Sequence, residues 1–433
     1  MTDTIFALSS GPPPAALALM RVSGPHATVV LRALCGKLPA PRRAALRNLC
    51  WDGALLDSAL VLHFPGPHSA TGEDVVELHL HGSRAVVRAV ERALAAMPGL
   101  RAAQPGEFTR RALENGRLEL TEAEGLGDLL AAESENQRRA AMLLAGGGLA
   151  RAVGAWQAQL LMLSARVEAL LDFADEEDVA ADDAEMSNIN NLIDEISTSW
   201  RQWLARPRGE RLRDGILVAI AGPPNAGKST LLNALAARDA AIVSPIAGTT
   251  RDIIEVPLAL SGVAFRFADS AGLHMGSDDV IEAEGMARAR TLIDQADLLL
   301  WLGDGADAPE HRARAIVAAK ADLRENDANW PKKAGAADII LSAQTGDGMG
   351  ALVDWLVAQA ADLLPREGEV ALNARHHAAL TAAYAALADA RQDDPLLLAE
   401  SLRAARISID AITGQAGTEE MLDTLFSRFC IGK

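Results

Sequence analysis

The chain has 433 residues, 49% apolar, 23% charged and 4% aromatic, with a formal net charge of −17 and a mean hydropathy near zero. That length exceeds one ordinary domain of roughly 100–200 residues and predicts two or three units. The negative charge excludes nucleic-acid binding through a global field. Any RNA contact must use a partner or a local basic patch, for which Arg42, Arg43 and Arg47, or Arg84 and Arg88, are candidates.

Residues 1–117 mix short strand-like runs (Ala18–Val22, Val75–Leu80) with helical patches and turns, which predicts an α+β unit. Residues 4–20 carry no charge, but Pro12-Pro-Pro14 interrupts them and no basic segment precedes them, so neither a signal peptide nor a membrane span is expected. The sparse, odd set Cys35, Cys50 and Cys430 has no metal spacing and suits a reducing, cytoplasmic location. Residues 118–212 read as helical. Thr121 and Glu124 form a capping-box pattern, and the acidic stretch Asp172–Asp178 interrupts the helices. Residues 213–364 read as a separate inserted unit, and 365–433 as helical again, with Thr418 opening a last helix. Its apolar positions Met421, Leu422, Leu425, Phe426 and Phe429 seek a partner, naturally the 121–212 helices. The expected fold is multidomain α/β plus α: an N-terminal α+β domain, then a helical domain interrupted by an inserted domain, which the loop Gly222-Pro-Pro-Asn-Ala-Gly-Lys-Ser229 and the pattern Lys320-x-Asp322 predict to be a P-loop (Ras-like) GTPase domain.

Gly222 to Ser229 reads Gly-Pro-Pro-Asn-Ala-Gly-Lys-Ser, after the apolar run Gly215–Ala221 and before a helical pattern from Thr230. Strand, glycine loop and helix is the context of a phosphate-binding loop. Its amides at Asn225, Ala226, Gly227, Lys228, Ser229 and Thr230 would cradle a triphosphate, with Lys228 on the outer phosphates and Ser229 on Mg²⁺. Asp269-Ser270-Ala271-Gly272 at a strand end suits a γ-phosphate sensor, and Thr250 in Ala247–Asp252 suits a switch threonine on Mg²⁺. Ala319-Lys320-x-Asp322 and Ser342-Ala343 complete a guanine pocket. Asp322 would accept N1–H and the N2 amino group, and adenine would leave that carboxylate unpaired at a cost of about 1–3 kcal/mol. Two departures stand out. Ala319 occupies the place of a base-contacting Asn or Thr, which predicts weaker nucleotide binding. Leu273 occupies the place of the water-orienting glutamine of many GTPases.

Taken together, these residues resemble the MnmE (TrmE) family of tRNA-modification GTPases along essentially the whole chain. The signatures are Pro-Asn-Ala-Gly-Lys-Ser at 224–229, Ile-Ala-Gly-Thr-Thr-Arg-Asp at 246–252, Thr-Gly-Glu-Asp-Val-Val-Glu at 71–77, Pro-Gly-Glu-Phe-Thr-Arg-Arg-Ala at 105–112 and Phe-Cys-Ile-Gly-Lys at 429–433. The resemblance implies a homodimer that works with an FAD-dependent MnmG (GidA) partner as a heterotetramer. That assembly adds a carboxymethylaminomethyl or aminomethyl group to C5 of the wobble uridine (position 34) of certain tRNAs. It implies a tetrahydrofolate derivative (a 5-formyltetrahydrofolate-type donor) held by Arg21, Glu77, Arg117 and Lys433, with Arg117 standing where the family usually has Lys. It implies K⁺ in place of an arginine finger, bound by Asn225, Ser244, Ile246 and Thr249. The first switch, Ser244, Pro245, Ile246, Ala247, Gly248, Thr249 and Thr250, would close over the nucleotide, and Glu282 would orient the attacking water with Lys228 on the phosphates. His274 replaces the arginine usual in that loop. Cys430 is either a nucleophile toward uridine or a tail thiol that helps seat the folate.

Two other readings remain open at this level: a GTP-switched RNA-binding or ribosome-assembly factor, and a folate-dependent methyltransferase with a vestigial GTPase. Neither an assembly factor's switch nor its RNA binding needs the folate-type residues or the terminal Cys-Ile-Gly-Lys.

Overall fold

The computed structural model describes residues 3–172, 179–238, 255–269, 289–326, 330, 335–389, 394–414, 419–427, 429 and 431–432. By compactness the chain divides into two units. One comprises Met1–Gly127, Leu144–Met162 and Arg406–Lys433, the other Asp128–Leu143 and Leu163–Ala405.

In the first unit, β1 (Thr4–Leu8), β2 (Leu17–Ser23), β3 (Ala45–Trp51), β4 (Ala54–Phe64), β5 (Val75–His81) and β6 (Leu100–Ala102) form one sheet in the order β3-β4-β5-β2-β1-β6. β1 and β6 run parallel, and the other neighbours are antiparallel. Alternation sorts the two faces. Val76, Leu78 and Leu80 of β5 point inward with Met20 and Val22 of β2, onto α1 (Ala27–Cys35) and α2 (Arg84–Ala95). Those helices offer Val30, Leu31 and Leu34, and Val87, Val90 and Leu94, at the spacing of one helical face. Full burial of each such side chain stabilises by ~1.5–3 kcal/mol. The opposite face carries Arg21 and Glu77, directly paired across β2 and β5. There α3 (Glu107–Glu114) sets Phe108 against Ile5, Ala7 and Ala103.

The capping box expected at Thr121 and Glu124 is not what starts α4 (Leu120–Ala131). The helix begins one residue earlier, and Glu122 reaches back to the amide of Glu119 at 2.9 Å. Thr121 is fully buried inside the first turn, so burial of Leu120 and Thr121 sets the start rather than the hydroxyl. The terminal helix Glu419–Phe426 finds its partner partly where expected. Phe426 and Phe429 close on Ala123 and Leu126 of α4, but Leu113 of α3 joins them.

The second unit holds a six-stranded sheet built from β7 (Ile216–Ala221), β8 (Glu255–Leu260), β9 (Val263–Asp269), β10 (Leu298–Trp301), β11 (Arg314–Ala318) and β12 (Ile339–Ile340), in the order β12-β11-β10-β7-β9-β8. Only β8 and β9 pair antiparallel, and β7 lies between β9 and β10. Its run Ile-Leu-Val-Ala-Ile-Ala is almost wholly buried, as a parallel strand covered on both faces must be. This is a P-loop α/β sheet inserted in helical sequence. The carboxyl ends of β7, β9 and β11 deliver the functional side chains, the usual place for ligands in such sheets. In the same unit, the long helix Val179–Leu204 packs on the helix Ala374–Asp389. No helix among the described residues is long and apolar enough to cross a membrane.

Candidate functional site

The chain leaves β7 at Ala221, whose carbonyl is held by the amide of Leu302 at 2.7 Å, and turns at Gly222 with φ +151. A Cβ on Gly222 would lie 2.5 Å from the Leu302 carbonyl oxygen, so the turn needs glycine. Asn225 takes a left-handed conformation (φ 60), which asparagine tolerates best among residues with a side chain, and Gly227 sits at φ +103. The helix Lys228–Arg238 starts there. Its first amides and the loop amides form a nest for an anion.

Lys228 is 6% exposed, and its Nζ donates to the carbonyls of Gly222 (2.9 Å) and Pro223 (3.0 Å). Burial pulls its ammonium below the usual lysine range, while the Asp269 carboxylate acts the other way. A buried cation satisfied only by neutral carbonyls is short of counter-charge, which phosphate oxygens supply. At the end of β9, Asp269 Oδ2 accepts from Ser229 Oγ at 2.7 Å. Two hard oxygens held together in this way fit Mg²⁺ chemistry.

The residues expected to meet the base follow β11. Lys320, at φ 66, reaches back to donate to the carbonyl of Asn225 at 2.7 Å. Asp322 Oδ1 accepts from Ser342 Oγ at 2.6 Å, and Ser342 is fully buried with its own amide bonded to the Asp347 carbonyl. Ser342 thus holds one carboxylate oxygen of Asp322. Ala343 is half-buried beside it. Ala319 packs its methyl against the sheet core, 4.0 Å from where a Cβ on Gly227 would stand. Trp301, not singled out from the sequence, donates from Nε1 to the Asp304 carbonyl, and Gly303 fits under its ring against Pro223. No motif around it signals this role.

In the first unit, Arg21 donates from Nη2 and Nε to Glu77 Oε1 at 2.8 and 3.1 Å. His79 stands 3.6 Å from the other carboxylate oxygen, and Phe108 places its ring 5.8 Å from the Arg21 guanidinium. Phe108 lies within the Pro-Gly-Glu-Phe-Thr-Arg-Arg-Ala run, which would have flagged it. Arg117 is exposed and lays its stem against Gly72. Among the described residues its guanidinium has no hydrogen bond, and it does not join the Arg21–Glu77 pair.

The loop before β5 is fixed from below. Arg111, fully buried, donates to Glu73 Oε2 (3.0 Å), Asp3 Oδ1 (3.0 Å) and Glu107 Oε1 (3.2 Å). Glu73 also accepts from Ser23 Oγ, which contacts Thr71 Oγ1 at 2.6 Å. Burial on its own would raise the Glu107 carboxyl. The Arg101 guanidinium, the Gln104 amide and Arg111 outweigh it and hold the group below its usual range. The tail crosses the end of β1, where Ser9 Oγ donates to the Gly432 carbonyl at 2.7 Å and Ile431 bridges to Pro105. Gly432, at φ +98, touches the Leu8 carbonyl so closely that no Cβ fits.

Ser244, Pro245, Ile246, Ala247, Gly248, Thr249, Thr250, Ser270, Ala271, Gly272, Leu273, His274, Glu282, Cys430 and Lys433 lie outside the described residues. Asn225, Ala226, Gly227, Lys228, Ser229 and Thr230 come together with Asp269, and Ala319, Lys320 and Asp322 with Ser342 and Ala343.

The chain is similar end to end to known proteins. A model of the MnmE helical domain matches residues 120–430, and one for the GTP-binding protein TrmE N-terminus matches 4–117. The tRNA modification GTPase MnmE of Rhizorhabdus wittichii is 57% identical, covering 100% of this chain and 97% of its own. The namesakes from Sphingopyxis alaskensis and Erythrobacter litoralis are 55% identical (96% of this chain and 100% of theirs) and 54% identical (100% of both). The chain belongs to the MnmE (TrmE) family of tRNA-modification GTPases.

Proposed function

We propose that this chain hydrolyses GTP in a K⁺-dependent, G-domain-pairing manner. With an FAD-dependent MnmG (GidA) partner, it thereby drives addition of a carboxymethylaminomethyl or aminomethyl group to C5 of the wobble uridine (position 34) of certain tRNAs. The family assignment carries the coarse statement, GTP hydrolysis in tRNA modification.

The observation that best supports the nucleotide reading is the Lys228 ammonium, buried and, among the described residues, hydrogen-bonded to loop carbonyls alone. On this reading Lys228 exchanges those carbonyls for the outer phosphates, while Ser229 and Thr250 hold Mg²⁺. Asn225, Ser244, Ile246 and Thr249 hold K⁺ where other GTPases use an arginine finger. When bound, these cations neutralise charge that develops on the phosphates as the γ-phosphoryl leaves. Glu282 orients the attacking water, Asp269 and Gly272 sense the γ-phosphate, and Asp322 with Ser342 and Ala343 selects guanine.

Arg21, Glu77, Arg117 and Lys433 hold the tetrahydrofolate derivative. What supports this is the partly exposed Arg21–Glu77 pair above the Phe108 ring: a fork of donors and a carboxylate beside an aromatic face. A pterin offers N–H groups to such a carboxylate, and a glutamate tail offers carboxylates to the cations. Cys430 belongs to the tail that seats this ligand.

Mass spectrometry of wobble uridine in cells lacking the chain tests the proposal. The C5 substituent should vanish and return with the wild-type gene, but not with Lys228→Ala. An unchanged C5 substituent would refute it.

A further inference from the structure

A groove of about 950 Å³ lies beside α2, floored by Phe6 and Leu8 of β1 and Ala102 of β6 and walled at one end by Ile431 of the tail. The helix turns Ala85, Arg88, Arg92 and Ala95 toward it, a 3-4-3 spacing that keeps one helical face in line. The alanines are too small to fill the space, and so the arginines form its rim. Arg84 precedes them by one turn, making a row Arg84, Arg88, Arg92 that advances about 6 Å per step.

Among the described residues, none of the three has a carboxylate partner. Arg84 Nε donates only to the Pro13 carbonyl and Arg92 Nε to the Arg88 carbonyl. By contrast, Arg101, Arg110, Arg111, Arg138 and Arg139 all meet acidic side chains. In a chain of net charge −17, three exposed arginines kept clear of acids beside an apolar floor form a local positive field.

We propose that this groove seats a single-stranded segment of the RNA substrate. The arginine row takes successive phosphates, and the apolar surface of Leu8 and Ile431 takes an unstacked base. Arginine forks match phosphate oxygens in pairs, and proteins that bind single strands combine such a cationic track with an apolar or aromatic platform. Glu91, the one acid on the rim, disfavours a ligand that is anionic throughout and suits one whose phosphates alternate with neutral bases. Ile431 lines the groove, so RNA held here runs past the tail. This inference rests on the tRNA reading above.

The test uses the full chain and a fluorescent anticodon stem–loop RNA with uridine at the wobble position, titrated across a range of KCl concentrations. The double variant Arg88→Glu/Arg92→Glu should bind at least tenfold more weakly, with a salt slope shallower by about 0.7 for each phosphate no longer neutralised. Ala95→Glu, which removes no arginine, should weaken binding in the same direction. GTP turnover should be unchanged in both, which reports an intact fold. Wild-type affinity and slope in the variants would overturn the groove while leaving the tRNA reading standing. Failure of the wild-type chain to bind the RNA would also overturn the groove, while the tRNA reading is decided separately by the wobble-uridine measurement. Loss of 5-formyltetrahydrofolate binding with RNA affinity intact would give the groove to the folate and overturn the proposal.

Discussion

Lys320 Nζ donates to the carbonyl of Asn225 at 2.7 Å, across 95 residues of sequence, and so ties the end of β11 to the phosphate loop. Both residues have left-handed backbones. The bond therefore braces a loop conformation that costs on the order of 1 kcal/mol per residue to hold. Removing the ammonium with Lys320→Ala should weaken GDP and GTP binding by about 10- to 100-fold, the worth of ~1.5–3 kcal/mol for a charged hydrogen bond. Fluorescent-nucleotide titration reads this directly, and an unchanged Kd would show that the loop needs no such brace.

Ala319 is where the guanine pocket is under-built. Its methyl stands 4.0 Å from the Cβ position of Gly227, with no polar group to bridge base and loop. Ala319→Asn should tighten guanine nucleotides by about fivefold, for one added hydrogen bond of ~1 kcal/mol. ADP binding should not change, because on the proposed reading adenine would still leave the Asp322 carboxylate unpaired. Calorimetry with GDP and ADP checks both halves of the expectation.

Gly222 has no substitute that keeps the turn. With a Cβ 2.5 Å from the Leu302 carbonyl and φ +151, Gly222→Ala must push β7 and β10 apart or change the loop. Nucleotide binding should fall below detection at concentrations where the wild type saturates. Near-normal binding would mean the turn relaxes without harm.

The buried network around Arg111 predicts an acid limb. Glu107 is held below its ordinary value of 4.5 in the fold, so its contribution is complete above that pH and is lost as pH falls through the lower folded value. Glu107→Gln should lower the melting temperature at pH 7, since Arg111 and Arg101 each lose one charged partner while keeping Asp3. It should also flatten the decline of melting temperature below pH 4.5. Parallel wild-type and variant curves through the acid range would contradict that assignment.

Much of the nucleotide site was legible because glycine spacing and strand–loop–helix order are local. Gly222, Gly227, Lys228 and Ser229 lie within eight residues, and their geometry follows from backbone rules. What local pattern misses is long-range or buried charge. Neither the Lys320–Asn225 bond nor the Arg111 cluster leaves a period in the sequence, and a fully buried arginine runs against the usual sorting of charge to the surface. The capping box at Thr121 failed for a related reason: burial of Leu120 and Thr121 overrode the pattern. Leu113 became a partner of the terminal helix because α3 presents it beside α4, which no reading of the last thirty residues alone would show.

The most direct test of the account is GTP turnover by the purified chain with Mg²⁺, in KCl against NaCl at equal ionic strength. Hydrolysis should be many-fold faster in KCl, and Asn225→Ala should erase the difference. Equal rates in the two salts, or no turnover in KCl, would contradict it.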